Sequence, residues 1–215
     1  MKIKFFTSVL FIITSITAMA QFEGAKQTYS APNLQSEIAK QKIVAILPFE
    51  TSINYKRIPK NYDSTARKHE ELSLTTSLQA SMFTYLLRKA NNYSVTFQDP
   101  SRTNALLKAK GVYDHLDLLT QDSICTILGV DAVIKCNYDY EKTASETGAI
   151  IKTVLFGGIG SKTGSGALTM QIYNRTDGNL LWRFYKAMND DVLSSTDELI
   201  SRMMRKVSRN FPYEK

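Results

Sequence analysis

Apolar and polar residues alternate in three segments of the second half of the chain, which predicts three β-strands. The period of two runs through residues 131–140, 168–172 and 180–184, and it places one set of side chains on one face of a sheet. Asp177-Gly178 stands between the last two segments. This dipeptide favours the type I′ turn of a β-hairpin because glycine tolerates positive φ. We therefore predict a hairpin with Asp177 and Gly178 as its structural turn.

Other patterns predict two strands and three helices in the first half. The run from Ile43 to Leu47 is apolar throughout and ends at a proline, as expected of a strand covered on both faces. Apolar residues three and four positions apart predict helices, two of which end near Gly111 and Gly129. The predicted elements are strands at 43–47 and 93–97, helices at 64–91, 101–109 and 117–128, and a polar loop at 50–63.

A strongly amphipathic helix is predicted at the C-terminus. Ser195 and Glu198 form the pattern of a capping box, and an apolar stripe follows. The stripe consists of Ile200, Met203, Met204, Val207 and Phe211. Four basic residues lie opposite: Arg202, Arg205, Lys206 and Arg209. This basic face either is solvated opposite a buried stripe or contacts an anionic surface such as lipid or glycan.

Together these elements predict an α/β (α+β) fold with one mixed sheet and helices packed against it. Their order is β-α-β-α-α-β-β-β-α, ending in the hairpin and the last helix. We expect a single domain over residues 42–212. Residues 21–41 are polar and mixed and show no sustained period, so we expect a flexible leader there.

The N-terminus has the pattern of a secretory signal peptide. Two lysines precede an apolar run over residues 5–17, and Ala18-Met19-Ala20 offers a cleavage site. The run is shorter than the roughly 20 residues that span a bilayer as a helix. We therefore expect residues 1–20 to be a signal peptide and the product to be exported, either periplasmic or associated with the outer membrane. No cysteine lies near the cleavage site, so no lipoprotein anchor is expected.

The composition of the chain limits the kinds of scaffold and metal site that it can form. The 215 residues include 27 Lys and Arg against 20 Asp and Glu, a formal net charge of +7, with two cysteines and two histidines. So few cysteines exclude a disulfide-dense scaffold, and so few histidines disfavour a histidine-rich metal site. Cys125 and Cys136 lie at different distances from the turn between them. We therefore expect two buried thiols and no disulfide.

Motifs for catalysis and nucleotide binding are incomplete. Glycines are concentrated at 148–166, but no Gly-Lys-Ser/Thr run of a phosphate loop occurs there. His69 lacks the second histidine of a zincin pattern. His115 stands beside Asp114 and Asp117 and is predicted to be a surface residue. We therefore expect a protein that is not an enzyme, with no catalytic residues, no metal site and no cofactor.

An apolar stretch lies inside the predicted connection between two strands. Residues 149–159 read AIIKTVLFGGI, and neither of the alternating faces is cleanly polar. The stretch either folds on its own domain or contacts a membrane or another subunit. The candidate contact residues are Ile151, Val154, Leu155 and Phe156.

Three segments taken together resemble the CsgG/LpoB/TolB-N-terminal-like superfamily of bacterial envelope proteins. They are VAILPF at 44–49, LGVDAVI at 128–134 and the hairpin from LTMQIY to TDGNLLW at 168–182. The resemblance covers residues 42–211. It implies an α/β domain of the bacterial envelope without catalysis. CsgG-like members form oligomeric secretion channels, and LpoB-like members are lipoproteins that activate peptidoglycan synthases.

The chain departs from both kinds of member. It lacks the lipoprotein cysteine, and the connection after Tyr185 is too short for a second membrane hairpin. We therefore predict an exported, non-enzymatic accessory or assembly protein of the envelope that acts by protein–protein binding. The alternative is a membrane-inserting, oligomeric component of a CsgG-like secretion channel, with a hairpin at 142–166. The expected partners are envelope proteins and no nucleic acid, with self-association left open.

Overall fold

Seven strands form one mixed sheet in the part of the chain that the structure describes. The structure is a computed structural model, and it describes residues 26–60, 62–142, 164–188 and 196–215. The strands are β1 (Lys26–Ser30), β2 (Ile43–Ile46), β3 (Glu50–Tyr55), β4 (Thr96–Gln98), β5 (Ala132–Lys142), β6 (Gly164–Asn174) and β7 (Leu180–Met188). The sheet and its packed helices confirm the predicted α/β class.

The helices lie between the strands and after them. They are α1 (Leu34–Ile38), α2 (Ser64–Arg88), α3 (Pro100–Ala109), α4 (Gln121–Leu128) and α5 (Thr196–Val207). The Asp63 carboxylate accepts from the backbone N–H groups of Thr65 and Ala66 and so caps α2. Gly129 ends α4 in the left-handed region at φ 67°, a conformation that costs glycine little. The predicted helices of the first half are thus confirmed, with shifted ends.

The strand order is β1-β7-β6-β5-β2-β4, and β3 pairs with β5 beyond the end of β2. The strands β2 and β3 both run parallel to β5, and β2 is also parallel to β4. The other pairs are antiparallel. Pro48 has no backbone N–H, so the strand that starts at Ile43 is broken there and resumes at Glu50. This break becomes one wall of the cleft described below.

Both faces of the sheet carry a hydrophobic cluster. The larger cluster packs α2 and α5 against alternate residues of β5, including Ile134, Cys136 and Tyr138. The smaller cluster packs α3 and α4 against the other face, where Val133 is fully buried. The apolar stripe predicted for the last helix is buried in the larger cluster, from Ile200 to Phe211. The predicted period of two in β5 is therefore confirmed.

The flexible leader predicted for residues 21–41 is wrong where the structure describes it. Residues 26–30 form β1, which pairs with β7, and the α1 side chains Leu34 and Ile38 are buried in the larger cluster. All five residues of β1 are exposed, so the strand has no apolar face that a pattern could show. Residues 1–25, including the predicted signal peptide, lie outside the described residues.

The polar loop predicted at 50–63 is wrong in its first half, which is β3. The strand buries a single apolar side chain, Ile53. The rest of the strand shows no alternation of apolar and polar residues. Its pairing with β5 supplies the backbone hydrogen bonds that fix it. A strand stabilised in this way depends on its neighbour, which the local sequence does not reveal.

The predicted hairpin forms, but its connection is longer than a two-residue turn. The Asn174 N–H donates to the Asn179 carbonyl at 3.0 Å, and the Gly178 N–H donates to the Asn174 carbonyl at 3.1 Å. Four residues therefore connect the paired ends, and Gly178 has φ 66°. The positive φ of Gly178 is as predicted, whereas the predicted type I′ turn is not formed.

The domain also extends beyond the predicted end at residue 212. Tyr213 is fully buried, and its hydroxyl donates to Gln41 Oε1 at 2.6 Å. The Lys215 N–H donates to the Asn92 carbonyl. The C-terminal residues thus belong to the packed domain.

Candidate binding cleft

A cleft opens at the break between β2 and β3. It has a volume of about 280 Å³ and is bounded by the break, by the loop that precedes α4 and by the start of α4. Its lining consists of Leu47, Pro48, Phe49, Glu50, Tyr113, Asp114, Leu116, Asp117, Gln121, Ile124 and Lys135. The carboxyl ends of parallel strands are where open α/β sheets place their ligand crevices, and β2 ends at this cleft.

The loop before α4 is fixed by local hydrogen bonds. The Val112 N–H donates to the Leu107 carbonyl, and the His115 N–H donates to the Val112 carbonyl. The Lys108 ammonium lies 4.8 Å from the centre of the Tyr113 ring, a cation–π contact. Burial raises the pKa of Tyr113, and the Asp114 charge adds to the effect. One wall of the cleft is therefore preformed.

The charged groups of the cleft are unevenly partnered. Lys135 Nζ lies 2.7 Å from Glu50 Oε1, and the Asn137 amide donates to the other Glu50 oxygen. Asp114 and Asp117 are exposed. Within the described ranges, neither carboxylate makes a hydrogen bond or an ion pair. The rim therefore carries two carboxylates that are available to an incoming group.

An acceptor without a partner lies at the base of the cleft. The Gln121 Oε1 atom is buried and has no hydrogen-bond partner among the described residues. Leaving a buried acceptor unsatisfied costs about 1–3 kcal/mol. Because this atom is closed off from solvent, a donor in the cleft reaches it only if the Gln121 side chain moves.

The lining as a whole is suited to a cation with an apolar body. Leu116 and Tyr113 are partly exposed and provide apolar surface, Leu47, Phe49 and Ile124 are buried behind them, and the carboxylates stand at the rim. No group of three or more histidine, cysteine or acidic side chains in the described part of the chain is placed to hold a metal ion. The arrangement supports binding of a group, and Lys135 and Glu50 are the ion-paired side chains of the lining.

Sequence reasoning did not find the cleft. Its charged residues come from three separate segments, around Glu50, around Asp114 and Asp117, and around Lys135. The only local signal was the grouping of Asp114 and Asp117 around His115, which was expected to be at the surface. His115 is indeed exposed.

The basic face predicted for the last helix lies on α5, opposite the buried stripe. Arg205 and Lys206 are exposed, and Arg202 lies 2.6 Å from the Glu198 carboxylate. Ion pairs between residues one turn apart are common on exposed helix faces. The side chain of Arg209 and the predicted cap at Ser195 lie outside the described residues. Contact of this face with an anionic surface stays a prediction.

The candidate membrane contacts also remain untested. Ile151, Val154, Leu155 and Phe156 lie outside the described residues, as does most of the 142–166 connection. The ends that this connection joins are described, because Lys142 pairs with Gly164 across β5 and β6. In the described ranges, none of the helices has the length and apolar character required to cross a bilayer.

Both cysteines are buried thiols on opposite faces of the sheet. Cys125 belongs to the smaller cluster and Cys136 to the larger one, so the sheet separates them. Burial raises the pKa of Cys125 to about 12 and that of Cys136 further still. Thiols with so little thiolate are poor nucleophiles.

Comparison with known proteins gives remote structural similarity. No family model matches the chain, and no curated protein matches it. A lipoprotein, GNA1162, from Neisseria meningitidis shares 11% identity over 79% of this chain and 99% of its own, with a TM-score of 0.45. The LpoB C-terminal domain from Salmonella enterica shares 13% over 73% of this chain and 96% of its own, with a TM-score of 0.36.

A further similar structure is an oligomer. PelC from Paraburkholderia phytofirmans, crystallised as a dodecamer, shares 14% identity over 89% of this chain and 98% of its own, with a TM-score of 0.40. An LpoB domain, which the sequence resemblance named, is thus among the similar structures. Likeness of this strength does not determine the family or the function of this chain.

Proposed function

We propose that this chain is an exported accessory protein of the bacterial envelope that acts by binding other envelope proteins. Export is supported by the signal-peptide pattern of residues 1–20. Binding is supported by one structural observation, the solvent-open cleft with an apolar floor and two unpaired carboxylates at its rim. Such a surface can recognise a protein segment without changing it chemically.

The lining favours recognition over catalysis. Nucleophilic and acid–base catalysis rely on a titratable pair in contact, with the base oriented by a third group. Lys135 and Glu50 are engaged with each other as an ion pair in the cleft, and no cysteine, serine, threonine or histidine is among its lining residues. The cysteines lie in the packed core, where burial disfavours the reactive thiolate.

Export is tested by cell fractionation. We expect the chain to be recovered from the periplasmic or membrane fraction, shortened at its N-terminus by signal removal. A variant with a charged residue in the apolar run, Leu10→Arg, should remain in the cytoplasm at full length. Recovery of the unaltered chain as a full-length cytoplasmic protein would contradict the proposal.

Binding is tested by photo-cross-linking in the native envelope, with a photoreactive amino acid at exposed positions of the domain. Leu72, Leu87 and Leu118 are each more than half exposed; the first two lie on α2 and the third in the loop that precedes α4. We expect at least one of them to give a discrete adduct with another envelope protein. Absence of any adduct from an exported, folded protein would refute protein binding.

Sizing of the purified protein with and without detergent separates this proposal from the channel alternative. An accessory protein that binds by its surface should give the same small species in both conditions. A ring that forms only in detergent would favour the membrane-inserting component instead.

A further inference from the structure

The charge around the cleft has the opposite sign to the charge of the chain. Glu50, Asp114 and Asp117 bring three negative charges and Lys135 brings one positive charge. The N-terminus of α4 adds about half a positive charge. The Lys108 ammonium on the Tyr113 ring adds another positive charge. The local balance is therefore about −0.5 on a chain whose formal net charge is +7, so the cleft favours cations over anions.

The size of the cleft limits what can enter it. Sites for small molecules and cofactors usually enclose roughly 300–1,000 Å³, and this cleft encloses about 280 Å³. The cleft therefore lies at the small end of that range. A single long side chain fits, and the rest of the molecule that carries it stays outside the cleft.

The apolar floor decides which cation is suitable. Leu116 and Tyr113, which are partly exposed, offer surface to a hydrocarbon stem, whereas a small inorganic cation would gain nothing from them. Lysine and arginine bury their aliphatic stems on apolar surfaces and keep the charged group in water.

We propose that the cleft binds a lysine or arginine side chain presented by a basic segment of an envelope partner. The stem of that side chain lies on Leu116 and Tyr113, and its cationic group lies between Asp114 and Asp117. Apolar neighbours of the cation in the partner segment extend the contact toward Leu118, which is 76% exposed beside the rim. This inference rests on the proposed function, because it assigns the surface through which the partner is bound.

The first test measures binding of synthetic peptides to the purified folded protein by fluorescence anisotropy. The probe is a short fluorescein-labelled peptide in which lysine alternates with leucine. We expect saturable binding that weakens as salt is added, since exposed ion pairs are screened. The matched peptide with glutamate in place of lysine should bind at least tenfold more weakly, and equal binding of the two would overturn the proposal.

Competition separates a peptide ligand from a small cation. A free diamine supplies the ammonium and the hydrocarbon stem but lacks the flanking residues. We expect the diamine to compete at least tenfold more weakly than unlabelled peptide. Competition at equal concentration would assign the cleft to small cations and overturn the peptide proposal.

Variants of the rim locate the binding. The double variant Asp114→Asn with Asp117→Asn should lower the affinity for the lysine peptide about three- to tenfold, as expected for two exposed ion pairs. Glu141→Gln is the matched control, since it removes an exposed carboxylate about 20 Å along β5 from Lys135. Both rim residues are exposed, so circular dichroism should show an unchanged melting temperature. Equal loss in the control variant, or no loss in the rim variant, would disprove the assignment.

The cross-linking positions distinguish failure of this inference from failure of the proposed function. A partner that cross-links from Leu118 at the rim, and is lost when Asp114 and Asp117 are neutralised, supports the inference. A partner that cross-links only from Leu72 or Leu87 on α2 leaves the proposed function intact and overturns the role of the cleft.

Discussion

At the scale of single residues, Gly178 shows how a turn signal and a tertiary contact combine. Its φ of 66° suits glycine, and a Cβ at this position would lie 2.8 Å from the Asp122 carboxylate at the start of α4. The sequence indicates the first constraint through the Asp-Gly pair. The second arises because the hairpin connection packs on a helix from another part of the chain.

Gly178→Val should therefore lower stability by about 2 kcal/mol or more, which corresponds to a decrease in Tm of about 4–8 °C. Gly111→Val is the matched control because Gly111 has φ 68° with no heavy atom within 4 Å of the added Cβ. The control should be destabilised less. Thermal melts that show no effect at Gly178 would contradict the hairpin geometry.

The buried thiol of Cys125 predicts a dependence of stability on alkaline pH. Burial raises its pKa in the folded state to about 12, against about 8.5 in an unfolded chain. The neutral thiol is thus favoured by folding. Its contribution is complete below about pH 8.5 and is lost as pH rises toward 12.

Cys125→Ala should make the fall in stability between about pH 8 and pH 10 shallower, even though the lost packing lowers stability at every pH. The measurement is the denaturant midpoint at several pH values for both proteins. By about pH 10, the pKa difference of this thiol should have removed roughly 2 kcal/mol of stability from the unaltered protein, a loss that the variant lacks. Parallel pH profiles for the two proteins would refute the link to this thiol.

At the scale of elements, α2 covers the open edge of β3. Glu71 Oε1 accepts from the Ile53 N–H at 2.9 Å, and an Arg67 guanidinium N–H donates to the Ile53 carbonyl at 3.3 Å. The same two side chains form an ion pair at 3.2 Å. Helix side chains thus replace the neighbouring strand that β3 lacks on this edge, and they protect it from pairing with another chain.

Glu71→Ala should destabilise the fold by about 1–3 kcal/mol because it leaves the Ile53 N–H without an acceptor. Glu71→Gln retains an oxygen acceptor at the same place and should cost less. Chemical denaturation of the three proteins measures the difference. If alanine and glutamine cost the same, the hydrogen bond to β3 is not the stabilising interaction.

At the scale of the whole molecule, the long antiparallel pairing of β5 with β6 predicts that their connection is dispensable for folding. Lys142 and Gly164 are paired, so the residues that join them need to bridge only about 5 Å between adjacent strands. Hydrogen bonding along both strands fixes the ends of the connection independently of its length.

Deletion of residues 150–160 should therefore leave a soluble protein whose Tm is within a few degrees of the unaltered chain. The remaining residues of the connection are sufficient for the short span. The measurement is soluble yield together with a thermal melt. Loss of soluble protein would show that this apolar stretch belongs to the core.

Buried polar contacts also join the two ends of the described chain. The Tyr213 hydroxyl donates to Gln41, the Gln41 amide donates to Asn174 at 3.2 Å, and the Asn174 amide donates to Glu37 at 3.0 Å. These residues come from α1 and the segment after it, the end of β6 and the C-terminus. Their separation in sequence explains why the domain boundaries were predicted too narrowly.

The sequence by itself determined the α/β class, the main strands and helices, the hairpin at Gly178 and the buried stripe of the last helix. Each of these depends on local periodicity or on the conformational preference of one residue, which a single chain displays directly. Only the tertiary structure decided that β1 and β3 are strands and that Glu50, Asp114, Asp117 and Lys135 surround one cleft. Edge strands take their hydrogen bonds from neighbours, and a cleft brings together residues from separate segments. Neither leaves a periodic trace in the sequence.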